Sequence, residues 1–194
     1  MVETVSCSSV TVTFLVAGYA IRSGWGSNLN LGGAAQLQWN GWRGMLWDVF
    51  LQAVSHGPHV SPSDIFVMYL GGNDLAKCSG KALLIAIIQD LNLLKAEHPG
   101  MSILWSTMIP RMSWRADCSP QCVNKAHRQV NREVCHAVCK GLGTVIGHLD
   151  IHLDQLELFR SNGVHLLDLG MDLFLQDLQR GLCVVLYEVG RQGT

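Results

Sequence analysis

The stretch Gly71–Asp74, with the sequence Gly-Gly-Asn-Asp, carries polar side chains at a position suited to chemistry. It directly follows Ile65–Leu70, six apolar residues typical of a strand buried on both faces of a parallel sheet. In an open α/β sheet, ligands bind at the carboxyl ends of central strands. A neutral amide such as that of Asn73 can donate a hydrogen bond there to a developing oxyanion. The same residue types are also common in plain turns, so this stretch alone leaves both interpretations open.

The composition describes a globular chain without an excess of charge. Of its 194 residues, 48% are hydrophobic and 15% are charged, and the formal net charge is −1. This length favours one domain with its own core, and the charge argues against a general nucleic-acid binder, which needs many Lys and Arg contacts with phosphates. No apolar run reaches the ~18 residues of a membrane span. Seven cysteines, an odd number, favour reduced thiols over a disulfide framework. We therefore expect an intracellular, cytoplasmic setting.

Apolar periodicity predicts strands that alternate with helices. The predicted strands are Val10–Ala17, Gln36–Trp39, Ile65–Leu70, Ser102–Ile109 and Thr144–Ile146, and the predicted helices are Met45–Val54, Lys81–His98, Val123–Lys140 and Gly170–Leu182. The alternation indicates βαβ units, and therefore a parallel sheet with helices on both faces. We expect one domain over residues 10–183, with a loose N-terminus at 1–9 and a C-terminal tail at 184–194.

Right-handed crossovers bring the loops after the first three strands to one edge of such a sheet. Those loops contain Gly18–Ala20, Asn40–Gly44 and Gly71–Asp74, and the turn Asn162–His165 can lie over the same edge. With these four blocks in this order, the chain resembles the SGNH (GDSL-type) hydrolases, which are esterases and lipases. The resemblance implies a three-layer α/β/α, flavodoxin-like fold with a sheet of about five strands in the order 2-1-3-4-5. The setting of the last block also resembles SGNH-type modules of retroelement-derived chains.

The resemblance assigns roles to five positions of the four blocks. His165 corresponds to the general base, and the Gly44 N–H and the Asn73 side chain correspond to oxyanion-hole donors. Trp42 and Asp74 are expected to border the substrate, which would be a small acyl ester or a similar small ligand. The family needs no cofactor and no metal, so neither is expected; the oligomeric state is left open.

Two positions depart from the family pattern. Ala20 stands where the family has its nucleophilic Ser, and Asn162 stands where it has the Asp that orients the base. Loss of a triad Ser costs on the order of 10⁶ in turnover, and an amide in place of the Asp favours the wrong imidazole tautomer. We therefore expect an impaired carboxylic-ester hydrolase. The alternatives are an esterase with another nucleophile, a non-catalytic ligand- or partner-binding module, and a decaying retroelement-associated domain.

Two further clusters of side chains are candidate sites. Cys118 and Cys122, with Cys135 and Cys139, could supply four thiolates to zinc, but neither pair has the tight Cys-x2-Cys spacing of most structural zinc sites. A basic cluster near Trp114 could hold an anionic ligand or nucleic acid, or could be a solvated surface. Its members are Arg111, Arg115, Lys125, Arg128 and Arg132.

Overall fold

The computed structural model describes residues 10–17, 29, 31, 35–50, 52, 65–114 and 119–192. Within these residues five strands form one parallel sheet: β1 (Val10–Ala17), β2 (Ala35–Trp42), β3 (Ile65–Tyr69), β4 (Ser102–Ser106) and β5 (Gly143–Ile146). Their spatial order is β2-β1-β3-β4-β5. The predicted fold class and strand order are therefore confirmed.

Helices cover both faces of the sheet. The long helices in the described part of the chain are α1 (Gly80–Glu97), α2 (Pro120–Ala137) and α3 (Asp168–Gln192). Ser79 and Ser119 cap α1 and α2, since their side-chain oxygens accept hydrogen bonds from the backbone N–H groups of Ala82 and Cys122. These caps fix where each helix begins after its loop.

Strand β3 is buried on both faces, as its apolar run predicts. Phe66 and Met68 pack into the core that α1 and α2 cover, whereas Ile65 and Val67 pack into the core that α3 covers. All four side chains have no exposed surface. Alternate residues of a strand point to opposite faces, so one central strand supplies both cores and holds the three layers together.

Several predicted boundaries differ from the observed ones. The residues Asn40–Trp42, predicted as a turn, continue β2 because they pair with Leu15–Ala17 of β1. Strand β4 ends at Ser106 rather than at Ile109. Beyond it the Asn131 side chain, instead of a neighbouring strand, pairs with the Met108 backbone at 3.0 Å and 2.8 Å.

The last helix also differs from its prediction. We expected it to end at Leu182 with a tail from residue 184, but α3 continues to Gln192. Val185 is buried in the core that α3 covers, so the apolar stripe extends past the predicted end. Residues 184–192 therefore belong to the helix.

The predicted helix Met45–Val54 is only partly visible in the structure. Trp47–Val49 form a short 3-10 turn, and residues 51, 53 and 54 lie outside the described part. No helix among the described residues is long and apolar enough to cross a membrane.

Candidate active site

The Asn73 side chain lies just beyond the carboxyl end of β3, where it is held from both sides. Its Nδ2 donates a hydrogen bond to the Met45 carbonyl at 3.1 Å, and its Oδ1 accepts one from Arg111 Nη2 at 3.1 Å. The two contacts fix which end of the amide is oxygen and which is nitrogen. An amide nitrogen carries two N–H groups, so Nδ2 retains one for a ligand oxygen.

The loop after β2 brings Gly44 close to this amide. Gly44 directly precedes Met45, the residue whose carbonyl accepts from Asn73, and its backbone has φ +70°. Trp42, at the carboxyl end of β2, is 37% exposed. The structure thus brings the second and third sequence blocks together, as their positions in the sheet predict.

Asp74 connects the loop after β3 to the loop after β2. Its Oδ1 accepts a hydrogen bond from the Trp47 backbone N–H at 2.8 Å, and the residue is only 6% exposed. Its Oδ2 is buried without a hydrogen-bond partner among the described residues. Burial raises the pKa of Asp74 above its ordinary value. Asp74 therefore anchors the loop after β2, and its contact with a substrate stays a prediction.

The turn Asn162–His165 places the Asn162 amide directly against the His165 imidazole. Asn162 Oδ1 accepts hydrogen bonds from the backbone N–H groups of Val164 at 2.9 Å and His165 at 3.1 Å. Because an oxygen must occupy that position, the amide nitrogen is the atom that faces the imidazole, at 2.7 Å from Nδ1. Nδ1 accepts this hydrogen bond, so the ring proton of a neutral His165 is on Nε2. That tautomer leaves Nε2, the atom a triad base uses, without a lone pair for a proton.

The loop after β4 connects this turn to Asn73. The backbone N–H groups of Met112 and Ser113 both donate to the Gly163 carbonyl, at 2.8 Å and 3.3 Å. Gly163 has φ +64°, and a Cβ there would lie 2.9 Å from Met112 Cβ. Only glycine can adopt this positive φ and fit this close to Met112 without strain. The residue before Met112 is Arg111, so one short loop contacts both Asn73 and the turn that carries His165.

Arg111 lies at the candidate site, although its basic cluster in the sequence does not predict a role there. By sequence alone, Arg111 belongs to the basic cluster near Trp114, which could equally be a solvated surface. In the structure its guanidinium contacts Asn73 and lies 5.3 Å from the centre of the Trp114 ring. Lys125 and Arg128 are exposed on α2, and Arg132 pairs with Glu133. Its position in the chain could have indicated the site, because Arg111 follows β4, and the carboxyl end of β4 lies at the same sheet edge as the other loops.

A Ser–His–Asp chain of hydrogen bonds lies inside the fold, away from the four sequence blocks. Ser106 Oγ is 2.8 Å from His148 Nε2, and His148 Nδ1 is 3.1 Å from Asp177 Oδ2. The connectivity is that of a catalytic triad. However, Ser106 has no exposed surface and His148 and Asp177 are each 7% exposed, so no substrate carbonyl can reach the Ser hydroxyl. The chain of hydrogen bonds satisfies buried polar groups between β4, the segment after β5, and α3.

Some predicted site positions lie outside the described residues. Ala20 is among them, so its expected approach to His165 stays a prediction, and Cys118 and Arg115 are also outside. Cys122 and Cys139 are exposed, and no three potential metal ligands converge within the described ranges. The expectation that the chain needs no metal remains untested.

Comparisons with known proteins bear on the fold. No protein-family model and no curated protein matches the sequence. Solved structures do: a lipase/acylhydrolase from Enterococcus faecalis has a TM-score of 0.72 at 14% identity, covering 90% of this chain and 95% of that one. A GDSL-like lipase from Bacteroides thetaiotaomicron has a TM-score of 0.69 at 13% identity, covering 92% and 88%. A family 3 carbohydrate esterase from Talaromyces cellulolyticus has 0.71 at 15%, covering 92% and 99%. The chain has the SGNH-hydrolase fold.

Proposed function

We propose that this chain, which has the SGNH-hydrolase fold, is an esterase-like domain that retains a pocket for a small acyl ester but hydrolyses esters poorly. The observation that carries the proposal is the Asn162–His165 contact, in which an amide N–H occupies Nδ1 of the base. Deleting the orienting carboxylate in this way costs about 10⁴ in turnover when the nucleophile is present.

The first block of the sequence points in the same direction. Ala20 stands at the position of the nucleophilic Ser, and a methyl group cannot attack a carbonyl. Ser23 and Ser27 are the nearest serines along the sequence, but neither stands at the position of the family's nucleophile. What can remain is the rate enhancement of about 10³–10⁴ over water that an oxyanion hole and substrate binding give together.

The proposed substrate class rests on the retained groups and on the fold. The Asn73 amide keeps one N–H available beside Gly44, which suits the oxyanion of an ester undergoing attack. The structural neighbours are described as lipases, acylhydrolases and carbohydrate esterases. His165 would be the base of the repaired site, with Trp42 and Asp74 at its border.

The decisive test restores the two missing groups. Hydrolysis of a short 4-nitrophenyl ester is measured for the wild type, Ala20→Ser, Asn162→Asp and the double variant. Asn162→Asp alone should change nothing, because there is no nucleophile to activate, and Ala20→Ser alone should give slight activity. The double variant should exceed Ala20→Ser by up to ~10⁴.

Two controls tie the restored activity to the proposed site. Replacing Asn73 by Ala in the double variant should lower turnover by ~10²–10³, the usual effect of removing one oxyanion donor. Replacing His165 by Ala should abolish the gain. A folded double variant no faster than the wild type would reject the esterase proposal in favour of a binding module or a decaying domain, and a cooperative melting transition of the wild type would favour the former.

A separate experiment tests the alternative that the chain is an esterase with another nucleophile, for which Ser106 is a candidate. Any hydrolysis by the wild type should survive Ser106→Ala, because the Ser106 hydroxyl is enclosed in the fold. If that variant stays folded and loses the activity, the chain is an esterase with a different catalytic centre.

A further inference from the structure

The Arg111 guanidinium is an incompletely paired cation at the edge of the candidate active site. Of its five N–H donors, one makes a hydrogen bond among the described residues, from Nη2 to Asn73 Oδ1. No carboxylate of the described residues lies within ion-pair distance of it. Arg111 is half-buried, so part of its side chain faces solvent.

The surroundings of this cation are mostly protein. Burial lowers the pKa of Arg111 below its ordinary value, with Tyr69 and Asp74 as the acidic groups that act against the shift. Trp114 lies beside the guanidinium at 5.3 Å and is itself fixed by a 2.7 Å hydrogen bond from its Nε1 to Asn124. A positive charge taken partly out of water is costly unless an anion or hydrogen-bond acceptors replace the lost hydration.

We propose that Arg111 binds the carboxylate of a small organic acid, so that the ligands of this pocket are acids or half-esters that carry a second, free carboxylate. The inference rests on the proposed function for the location of the pocket, and it extends that function by naming the charge of the acyl group. The free edge of the guanidinium would take the carboxylate while Asn73 faces the ester oxygen.

The contacts favour a carboxylate over a phosphate. A guanidinium presents parallel N–H groups that match the two oxygens of one carboxylate. Arg111 is a single cation, with the Asp74 carboxyl near enough to act on it electrostatically, so a contacting carboxylate group with one negative charge matches the local charge better than a phosphate group with two. The Trp114 ring next to the guanidinium offers an apolar wall for a short carbon chain.

Binding to the wild type gives the primary test, since it needs no catalysis. Succinate, its neutral analogue succinamide, and inorganic phosphate are titrated at constant ionic strength by NMR, observing the Trp114 indole N–H. Succinate should bind at least 10-fold more tightly than succinamide and more tightly than phosphate. Arg111→Gln should weaken succinate by about 10- to 100-fold and leave succinamide unchanged, as expected for the loss of a charged hydrogen bond.

Two further variants keep the result interpretable. Arg128→Gln removes an exposed arginine of α2 and should bind succinate like the wild type. Gly72→Ala keeps the charge but moves it, because a Cβ at Gly72 would lie 2.7 Å from Arg111 Nη2. It should also weaken succinate, and it decides the matter if Arg111→Gln does not fold. Equal affinity for succinate and succinamide, phosphate binding as tight as succinate, or equal losses in Arg111→Gln and Arg128→Gln would each overturn the proposal.

A hydrolysis experiment separates this inference from the proposed function. In the Ala20→Ser/Asn162→Asp variant, kcat/KM for monomethyl succinate should exceed that for methyl butyrate, and Arg111→Gln should remove the difference. Equal losses for both esters would make Arg111 a positioning residue for Asn73 and overturn the carboxylate assignment. An inactive double variant that still binds succinate through Arg111 would reject the esterase proposal and leave the carboxylate site standing.

Discussion

The Asn162 amide favours one neutral tautomer of His165 through its hydrogen bond to Nδ1. Since Asn162 Oδ1 is occupied by two backbone N–H groups, the amide cannot rotate to offer its oxygen to the ring without losing both contacts. Nδ1 must therefore act as an acceptor toward Nδ2 at 2.7 Å. An aspartate in the same position would keep the two backbone contacts and present its second oxygen to an Nδ1–H donor.

We therefore predict opposite neutral tautomers in the wild type and in Asn162→Asp. Long-range ¹H–¹⁵N correlation spectra at pH 8 should show the proton of His165 on Nε2 in the wild type and on Nδ1 in the variant. His136, exposed on α2, provides an internal reference that should not change. The same tautomer in both proteins would remove the physical basis for assigning impaired catalysis to Asn162.

At the scale of elements, the loop after β4 connects Asn73 to the turn Asn162–His165 and so sets the distance between them. It contacts Asn73 through Arg111 and the base turn through the Met112 and Ser113 N–H groups. Gly163→Ala would place a side chain at φ +64° and 2.9 Å from Met112 Cβ. We expect a loss of about 1–3 kcal/mol in the free energy of unfolding, the usual cost of such a strained backbone residue.

The same substitution should also act on the site. In the Ala20→Ser/Asn162→Asp background, Gly163→Ala should lower kcat/KM because the base turn shifts away from the loop that carries Arg111. Gly147→Ala is the matched control, since its Cβ would meet only Leu149 atoms at 3.9 Å. Urea denaturation and ester hydrolysis are measured for both. Equal free energies of unfolding for the two variants would contradict the prediction and show that the turn accommodates the added methyl group without strain.

The sequence predicted the regular elements well because their signals are local. The apolar runs of the strands and the capped, periodic helix α1 appear within short windows of the chain. The contact of Arg111 at the site could not be predicted, because it depends on a hydrogen bond to Asn73, which lies 38 positions away in the sequence. Likewise, Ser106 and His148 are separated by 42 positions, and His148 and Asp177 by 29, so no spacing rule connects them. Side-chain partners across elements become visible only once the sheet order is known.

At the scale of the whole molecule, the Ser106–His148–Asp177 chain ties the sheet to α3. Ser106 ends β4, His148 follows β5, and Asp177 belongs to α3, whose Phe174 ring also stacks on His148 at 4.4 Å. Burial lowers the pKa of His148 and outweighs the raising effects of the Asp177 hydrogen bond and charge. Neutral His148 can then donate from Nδ1 to Asp177 and accept from Ser106, which satisfies all three groups.

This arrangement predicts a loss of stability in mild acid. The pKa of an unfolded His is about 6.5, whereas burial holds the pKa of folded His148 below that value, so the unfolded chain binds more protons as the pH falls. The contribution of His148 is therefore fully present above about pH 6.5 and is lost as the pH falls toward its folded pKa. His127, whose pKa burial also lowers, adds to the slope, whereas Asp74, with its raised pKa, contributes with the opposite sign.

Substitution isolates the part of this slope that His148 causes. Urea midpoints are measured from pH 5 to pH 8 for the wild type, His148→Gln and His136→Gln. Gln cannot be protonated, so His148→Gln should be less stable at pH 8, where a buried hydrogen bond is lost, but should show a shallower decline toward pH 5. His136→Gln, at an exposed position of α2, should follow the wild-type curve. If His148→Gln declines as steeply as the wild type, the pKa of His148 is the same in the folded and the unfolded chain, and a steeper decline would show that His148 is protonated in the folded protein and forms an ion pair with Asp177.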